Sequence, residues 1–112
     1  MTRMIKSSLE DFVGGWIVGN FDPSLLRNTQ VEVCVKYFKA GDTEPEHYQK
    51  TATEVSVVVV GMCRIGGELL HQGEILLIPP QVSADFVAET DCVVLAIKSP
   101  SIPEDKILGL TE

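Results

Sequence analysis

The sequence predicts an all-β domain built as a two-sheet sandwich or barrel, and three observations carry that prediction. From Val31 onward, short runs of β-branched and aromatic residues are separated by Gly, Pro and Asp clusters at the spacing of strands and turns. Gly66-Gly67 stands between two apolar-rich runs as the two-residue turn of a hairpin, since two glycines accept the positive φ values a primed turn demands. A chain of 112 residues removes roughly 65% of its unfolded surface from water on folding, enough for one core. One domain over 1–112 is therefore expected, with its core at about 31–98 and an added N-terminal segment at 1–30.

In the N-terminal segment, Ser8-Leu9-Glu10-Asp11 places a hydroxyl three residues before a carboxylate, a helix-start signal for one turn before Gly14-Gly15 ends it. Trp16-Ile17-Val18 reads as a strand and Asn20 to Ser24 as a turn around Pro23. Val31, Val33, Val35 and Tyr37 then alternate with Glu32, Cys34, Lys36 and Phe38, giving one wholly apolar face and one mixed face. Val55 to Val60 is apolar on both faces apart from Ser56, which predicts burial on both sides, inside a sandwich or at a dimer interface. Met62–Ile65 and Glu68–Leu70 flank the hairpin turn, and His71-Gln72-Gly73 forms a second one. Strands are expected at 74–78, 84–88 and 92–97, broken by Pro79-Pro80 and by Glu89-Thr90-Asp91.

Composition narrows the function classes. A net charge of -7 and a pI near 4.7 oppose a phosphate backbone, so neither nucleic acid nor anionic membrane is an expected partner. No apolar run approaches the roughly 20 residues of a membrane span, and no apolar stretch follows the charged N-terminus as a secretory signal would require. A cytoplasmic location is expected. Cys34, Cys63 and Cys92 are odd in number and set among apolar residues, which suits buried thiols rather than a disulfide framework.

Gly41, His47, Gln49, Glu54 and Gly61 stand at the spacing G-x5-H-x-Q-x4-E-x6-G. This resembles the first motif of the cupin family, G-x5-H-x-H-x3,4-E-x6-G, with Gln49 at its second His. Gly73-x5-Pro79 opens a segment similar to the second motif, G-x5-P-x-G-x2-H-x3-N, in which Gln81 stands for the second Gly, Ala84 for the His and Ala88 for the Asn. The resemblance implies a small double-stranded β-helix, or jelly-roll barrel, whose family centre binds a divalent transition metal through three imidazoles and a carboxylate. At the matched positions His47 and Glu54 remain, Gln49 offers a neutral amide oxygen and Ala84 offers nothing, so at most weak divalent metal binding and no firmly held cofactor are expected.

Residues two apart on a strand share a face, so His47 and Gln49 should point together into the barrel mouth beside Glu54. Three readings of His47 stay open: a histidine bonded to Glu54 or to a backbone carbonyl, a metal ligand, or an acid/base group acting without metal, with Glu54 as its catalytic partner. Metal-free isomerases and epimerases of the family pair the base with a tyrosine; alternation turns Tyr48 away and leaves Tyr37 as a ligand-binding candidate. Asp85 should look away from the pocket, and His71 should lie at the far end. Trp16 is either a packed plug, at the barrel end or in a dimer interface, or a platform for a sugar ring. The expected function is binding of a small polar, carbohydrate-related molecule at a degraded metal site by a homodimer, with a sugar isomerase or epimerase, metal-assisted through His47, Glu54 and Gln49 or metal-free, as the alternative.

Overall fold

The computed structural model describes residues 3–111 as two antiparallel five-stranded sheets packed face to face. A single 3-10 turn, Leu9–Asp11, precedes ten strands: β1 Trp16–Val18, β2 Glu32–Phe38, β3 Thr43–Gln49, β4 Thr53–Val60, β5 Met62–Ile65, β6 Glu68–His71, β7 Ile75–Ile78, β8 Ala84–Ala88, β9 Cys92–Ser99 and β10 Lys106–Leu108. One sheet runs β1-β2-β9-β4-β7 and the other β10-β3-β8-β5-β6. Sequential strands thus alternate between sheets over much of the chain, as in a double-stranded β-helix. No helix among the described residues is long and apolar enough to cross a membrane.

The turn signals fall where they were expected. Ser8 N–H donates to Asp11 Oδ2 at 2.9 Å, closing the predicted N-terminal turn. Gly66 and Gly67 take φ of 57° and 84° between β5 and β6, the double positive turn that a hairpin twist favours. Gly61 is required for a second reason: a Cβ there would lie 2.2 Å from the Asp91 carbonyl oxygen. Gln81, at the motif's second Gly, has φ of 71° all the same, and its N–H donates to the Gln49 carbonyl at 2.8 Å.

The barrel has two unlike ends. Val58, Cys63, Ile65, Leu70, Phe86, Cys92 and Val94 form an apolar core with Phe38 packed on Phe86 at a centroid separation of 4.2 Å. The other end is polar, because the side chains that β2, β4 and β9 turn inward there are small or charged: Cys34 and Lys36, Glu54 and Ser56, Ala96 and Lys98.

This inverts the natural reading of the strand alternation. The bulky, wholly apolar faces of β2, β4, β7 and β9 point outward and register in rows, Val33–Ile97–Val55–Leu77 and Val35–Leu95–Val57–Ile75, with Tyr37–Val93–Val60 beyond. Ile75, Leu77, Val59 and Val60 are exposed, so the two-sided burial expected for Val55 to Val60 is not achieved within one chain. The cause is volume. A sandwich this small that keeps a cavity cannot also hold the large residues of both sheet faces.

From sequence, Glu104-Asp105 reads as solvated acidic surface, but Asp105 is buried. Its side chain is 5% exposed, and its carboxylate accepts N–H bonds from Thr51 at 3.1 Å and Ala52 at 2.9 Å. The Lys50 N–H bonds its carbonyl. This anchor leads directly into β10, an unexpected strand pairing Lys106 with Gln49 and Leu108 with His47.

Burial alone would raise the Asp105 carboxyl's pKa, but the Ala52 and Thr51 N–H donors outweigh it and hold the group below its ordinary value of 3.8. The folded-state value is the depressed one, so its stabilisation is complete above the unfolded value and is lost as pH falls below about 3.8 through the folded value. Asp105→Asn should cost about 2 kcal/mol of unfolding free energy at neutral pH. In urea melts the gap between wild type and variant should shrink on acidification below that value.

Candidate functional site

The polar end of the barrel encloses a cavity of about 70 Å³, room for roughly five water-sized positions. Its inner wall is a row of cross-strand neighbours. Lys98 on β9 registers with Glu32 on β2 and with Glu54 on β4, and Glu54 registers in turn with Ile78 on β7. Cys34, Ala96 and Ser56 form the next row, and the Ser56 hydroxyl donates to Glu54 Oε2 at 3.0 Å.

The facing wall comes from β3 and β8. The β3–β8 ladder passes from Glu44↔Phe86 to His47↔Ala84 with one extra residue on β3. Pro45, which has no N–H to give the ladder, sits in this irregularity. The bulge changes the face parity, so Glu44 lines the cavity together with His47 and Gln49. Glu44 Oε2 holds Lys36 Nζ at 3.2 Å.

Lys98 is the unusual group. It is 9% exposed, and among the described residues no hydrogen-bond acceptor or carboxylate oxygen comes within bonding or ion-pair reach of its Nζ. Its nearest recorded partner is the face of Trp16, with Nζ 4.7 Å from the ring centroid. Burial lowers the Lys98 pKa, and the Glu54 and Glu32 carboxylates offset this only in part. Trp16 is kept in place by an edge contact with Phe21 at 6.4 Å. The Ser101 hydroxyl, buried behind it, donates to Glu32 Oε1 at 3.0 Å and accepts the Asn20 N–H at 2.8 Å.

The sequence candidates separate as follows. His47, Gln49 and Glu54 all line the cavity. His47 Nδ1 lies 3.0 Å from the Pro45 carbonyl oxygen, which is the backbone-bonded reading and not a bond to Glu54. Gln49 is 3% exposed, and neither its Nε2 nor its Oε1 has a protein hydrogen-bond partner. Tyr37 is 71% exposed on the outer face and does not reach the cavity, because β2 turns its mixed face inward. Tyr48 and Asp85, expected on outer faces, border the cavity. His71 is exposed and bonds Glu74 at 2.9 Å, outside the site.

Lys36, Lys98, Glu44 and Ser56 were missed. The available signal was one charged residue on the smaller-residue parity of an otherwise apolar run, Cys92–Val94–Ala96–Lys98. Cys34, Cys63 and Cys92 are free and buried. Burial pushes the Cys34 and Cys63 thiols up to about 11, so neither is a ready nucleophile.

The donors do not make a divalent-metal centre. Ala84 presents a methyl group opposite His47, and an ammonium, Lys98, is the cross-strand neighbour of Glu54. The described residues contain no group of three His, Cys, Asp or Glu side chains placed to hold an ion.

Comparison with solved structures agrees with the architecture. An uncharacterised conserved protein with a double-stranded β-helix domain from Klebsiella pneumoniae superposes with a TM-score of 0.71 at 16% identity, covering 99% of this chain and 93% of that one. An RmlC-like cupin from Shewanella frigidimarina gives 0.60 at 26% identity over 70% of this chain and 72% of the other. KdgF from a Halomonas species gives 0.61 at 22% identity over 69% and 74%. No family model and no curated protein matches the sequence. The fold is therefore a double-stranded β-helix. That fold, and the motif glycines that shape its turns, make the chain similar to cupins of known structure.

A buried amide without partners costs about 1–3 kcal/mol for each unmade bond. Gln49→Met, which fills similar volume without polar atoms, should therefore raise unfolding free energy by about 1 kcal/mol, read as a higher urea midpoint at unchanged slope.

Proposed function

We propose that the chain binds a small polar, carbohydrate-related metabolite in the barrel cavity without a tightly held metal. The observation that carries this reading is Gln49, an amide 3% exposed whose donor and acceptor both lack a protein partner while its side chain lines the cavity. A rotation of the Gln49 side chain further into the cavity would let one hydroxyl satisfy both atoms, accepting from Nε2 and donating to Oε1. Glu54 supplies a further acceptor and Lys98 a donor. Trp16 supplies the aromatic face on which the apolar side of a sugar ring stacks. The cavity volume of about 70 Å³, partly open to solvent, admits one compact fragment of such a molecule.

Trp16 is the only tryptophan, so its fluorescence reports occupancy directly. A screen of small sugars, polyols and sugar acids should yield a saturable fluorescence change, confirmed by calorimetry. Gln49→Met should weaken the best ligand by roughly tenfold to a hundredfold, the effect of leaving ligand polar groups unpaired. A full screen without saturable binding, or unchanged affinity in the variant, would reject the reading.

A second reading, a metal-free isomerase or epimerase, draws on His47 as the base: Nδ1 is engaged by the Pro45 carbonyl, while no protein group bonds Nε2. Tyr48, at the cavity border, replaces Tyr37 as the tyrosine within reach of that chemistry.

We also propose that a second copy of the chain covers the outer face of the β1-β2-β9-β4-β7 sheet. Its registered rows carry apolar side chains and no charge, and such a face is self-complementary about a two-fold axis. A partner bearing charge would have nothing there to pair with. Sedimentation should show twice the 12.3 kDa chain mass. The double variant Ile75→Lys, Leu77→Lys, at positions 62% and 60% exposed, should sediment as a folded monomer. Wild type sedimenting as a single chain at micromolar concentration would refute the dimer.

A further inference from the structure

The lysine in the cavity has chemistry that ligand binding alone does not use. Lys36, the other cavity ammonium beside Trp16, is tied to Glu44 at 3.2 Å. Lys98 is not tied. It is nine-tenths buried, it lines the cavity, and among the described residues its Nζ has no hydrogen-bond or ion-pair partner. An ammonium placed for structure alone would be expected to hold a carboxylate, because an unpaired buried charge is costly. Glu54 and Glu32, its register neighbours on either side, are instead engaged by the Ser56 and Ser101 hydroxyls.

Resting on the reading of the cavity as a small-molecule site, we propose that Lys98 Nζ is a nucleophile that condenses with the carbonyl carbon of a small aldehyde or ketone metabolite, forming an imine. An open-chain sugar or a short oxo acid has the required group.

The step balances without any further reactant. The ammonium gives a proton, relayed by a water molecule, to the carboxylate of Glu54, its neighbour in the β4–β9 register. The amine lone pair then forms the C–N bond while the carbonyl π electrons move to oxygen, which takes a proton from the attacking nitrogen to give a carbinolamine. The C–O bond breaks, the oxygen leaves as water with the proton Glu54 returns, and a protonated imine remains. Desolvation favours the neutral amine that must attack, and this makes buried lysines good imine formers. Trp16 covers one side of Nζ, leaving the cavity side for the carbonyl.

Pyruvate and glyceraldehyde serve as probes, each incubated with the full-length chain and cyanoborohydride and followed by intact mass and peptide mapping. Trp16 fluorescence without reductant reports binding separately. The expected result is one reduced adduct per chain, mapping to Lys98, saturating with probe concentration and absent from Lys98→Met and Lys98→Arg. The arginine variant keeps the charge, and its thermal melt shows whether the fold survives. A fluorescence change with no adduct at Lys98, or with adducts spread evenly over exposed Lys39 and Lys50, would overturn the imine and leave the binding site standing. Neither fluorescence change nor adduct with either probe would overturn the imine and count against binding of this carbonyl class as well.

Discussion

The polar end of the barrel depends on one row of neighbours, Glu32–Lys98–Glu54, running across three strands with all three side chains on the inner face. A lysine ammonium inside a small sandwich cannot be left without compensation, and here the compensation is spread out. Two carboxylates flank it at strand spacing, and an indole face lies 4.7 Å away. The segments that hold those groups follow from this need. β1 exists to bring Trp16 beside β2, with Trp16 registering on Cys34, and Ser101 ties the Asn20 turn to Glu32. The N-terminal segment and the end of β9 are thus parts of the site.

The same row explains why the metal chemistry implied by the fold does not fit. A divalent ion in such a barrel needs imidazoles and a carboxylate converging on a point free of other cations. In this chain the imidazole His47 faces Ala84, and the carboxylate Glu54 has an ammonium as its strand neighbour. What remains is a cavity whose charged lining is in near balance, Lys36, Lys98 and Lys106 against Glu44, Glu54 and Asp85. That balance suits a neutral or singly charged polyfunctional molecule better than a strongly charged one.

Much of the fold was legible from turn chemistry, because glycines with positive φ at 41, 61, 66, 67 and 73 leave the chain few alternatives. The strands between them then had to be antiparallel and short. His47, Gln49 and Glu54 were legible as a cluster because residues two apart on a strand share a face. The facing of the first sheet was not legible. Alternation shows that Val33, Val35 and Tyr37 share one side, but it does not say which side is inside. The larger apolar face would ordinarily be chosen, and the cavity reverses the choice. Glu44 was hidden for a different reason, since the extra residue at the β3 bulge shifts parity. Asp105 was hidden because an acidic residue near a chain end reads as solvated until the Thr51 and Ala52 N–H groups that it satisfies are seen.

Metal analysis of protein purified without an affinity tag or chelator, combined with melts in zinc, manganese, nickel and iron, is the most direct test that Lys98, and not a metal ion, is the cation beside Glu54. The account predicts substoichiometric metal in wild type and no rise in melting temperature with any of the four ions. One tightly held metal per chain, with a stabilisation that disappears in His47→Ala, would contradict it.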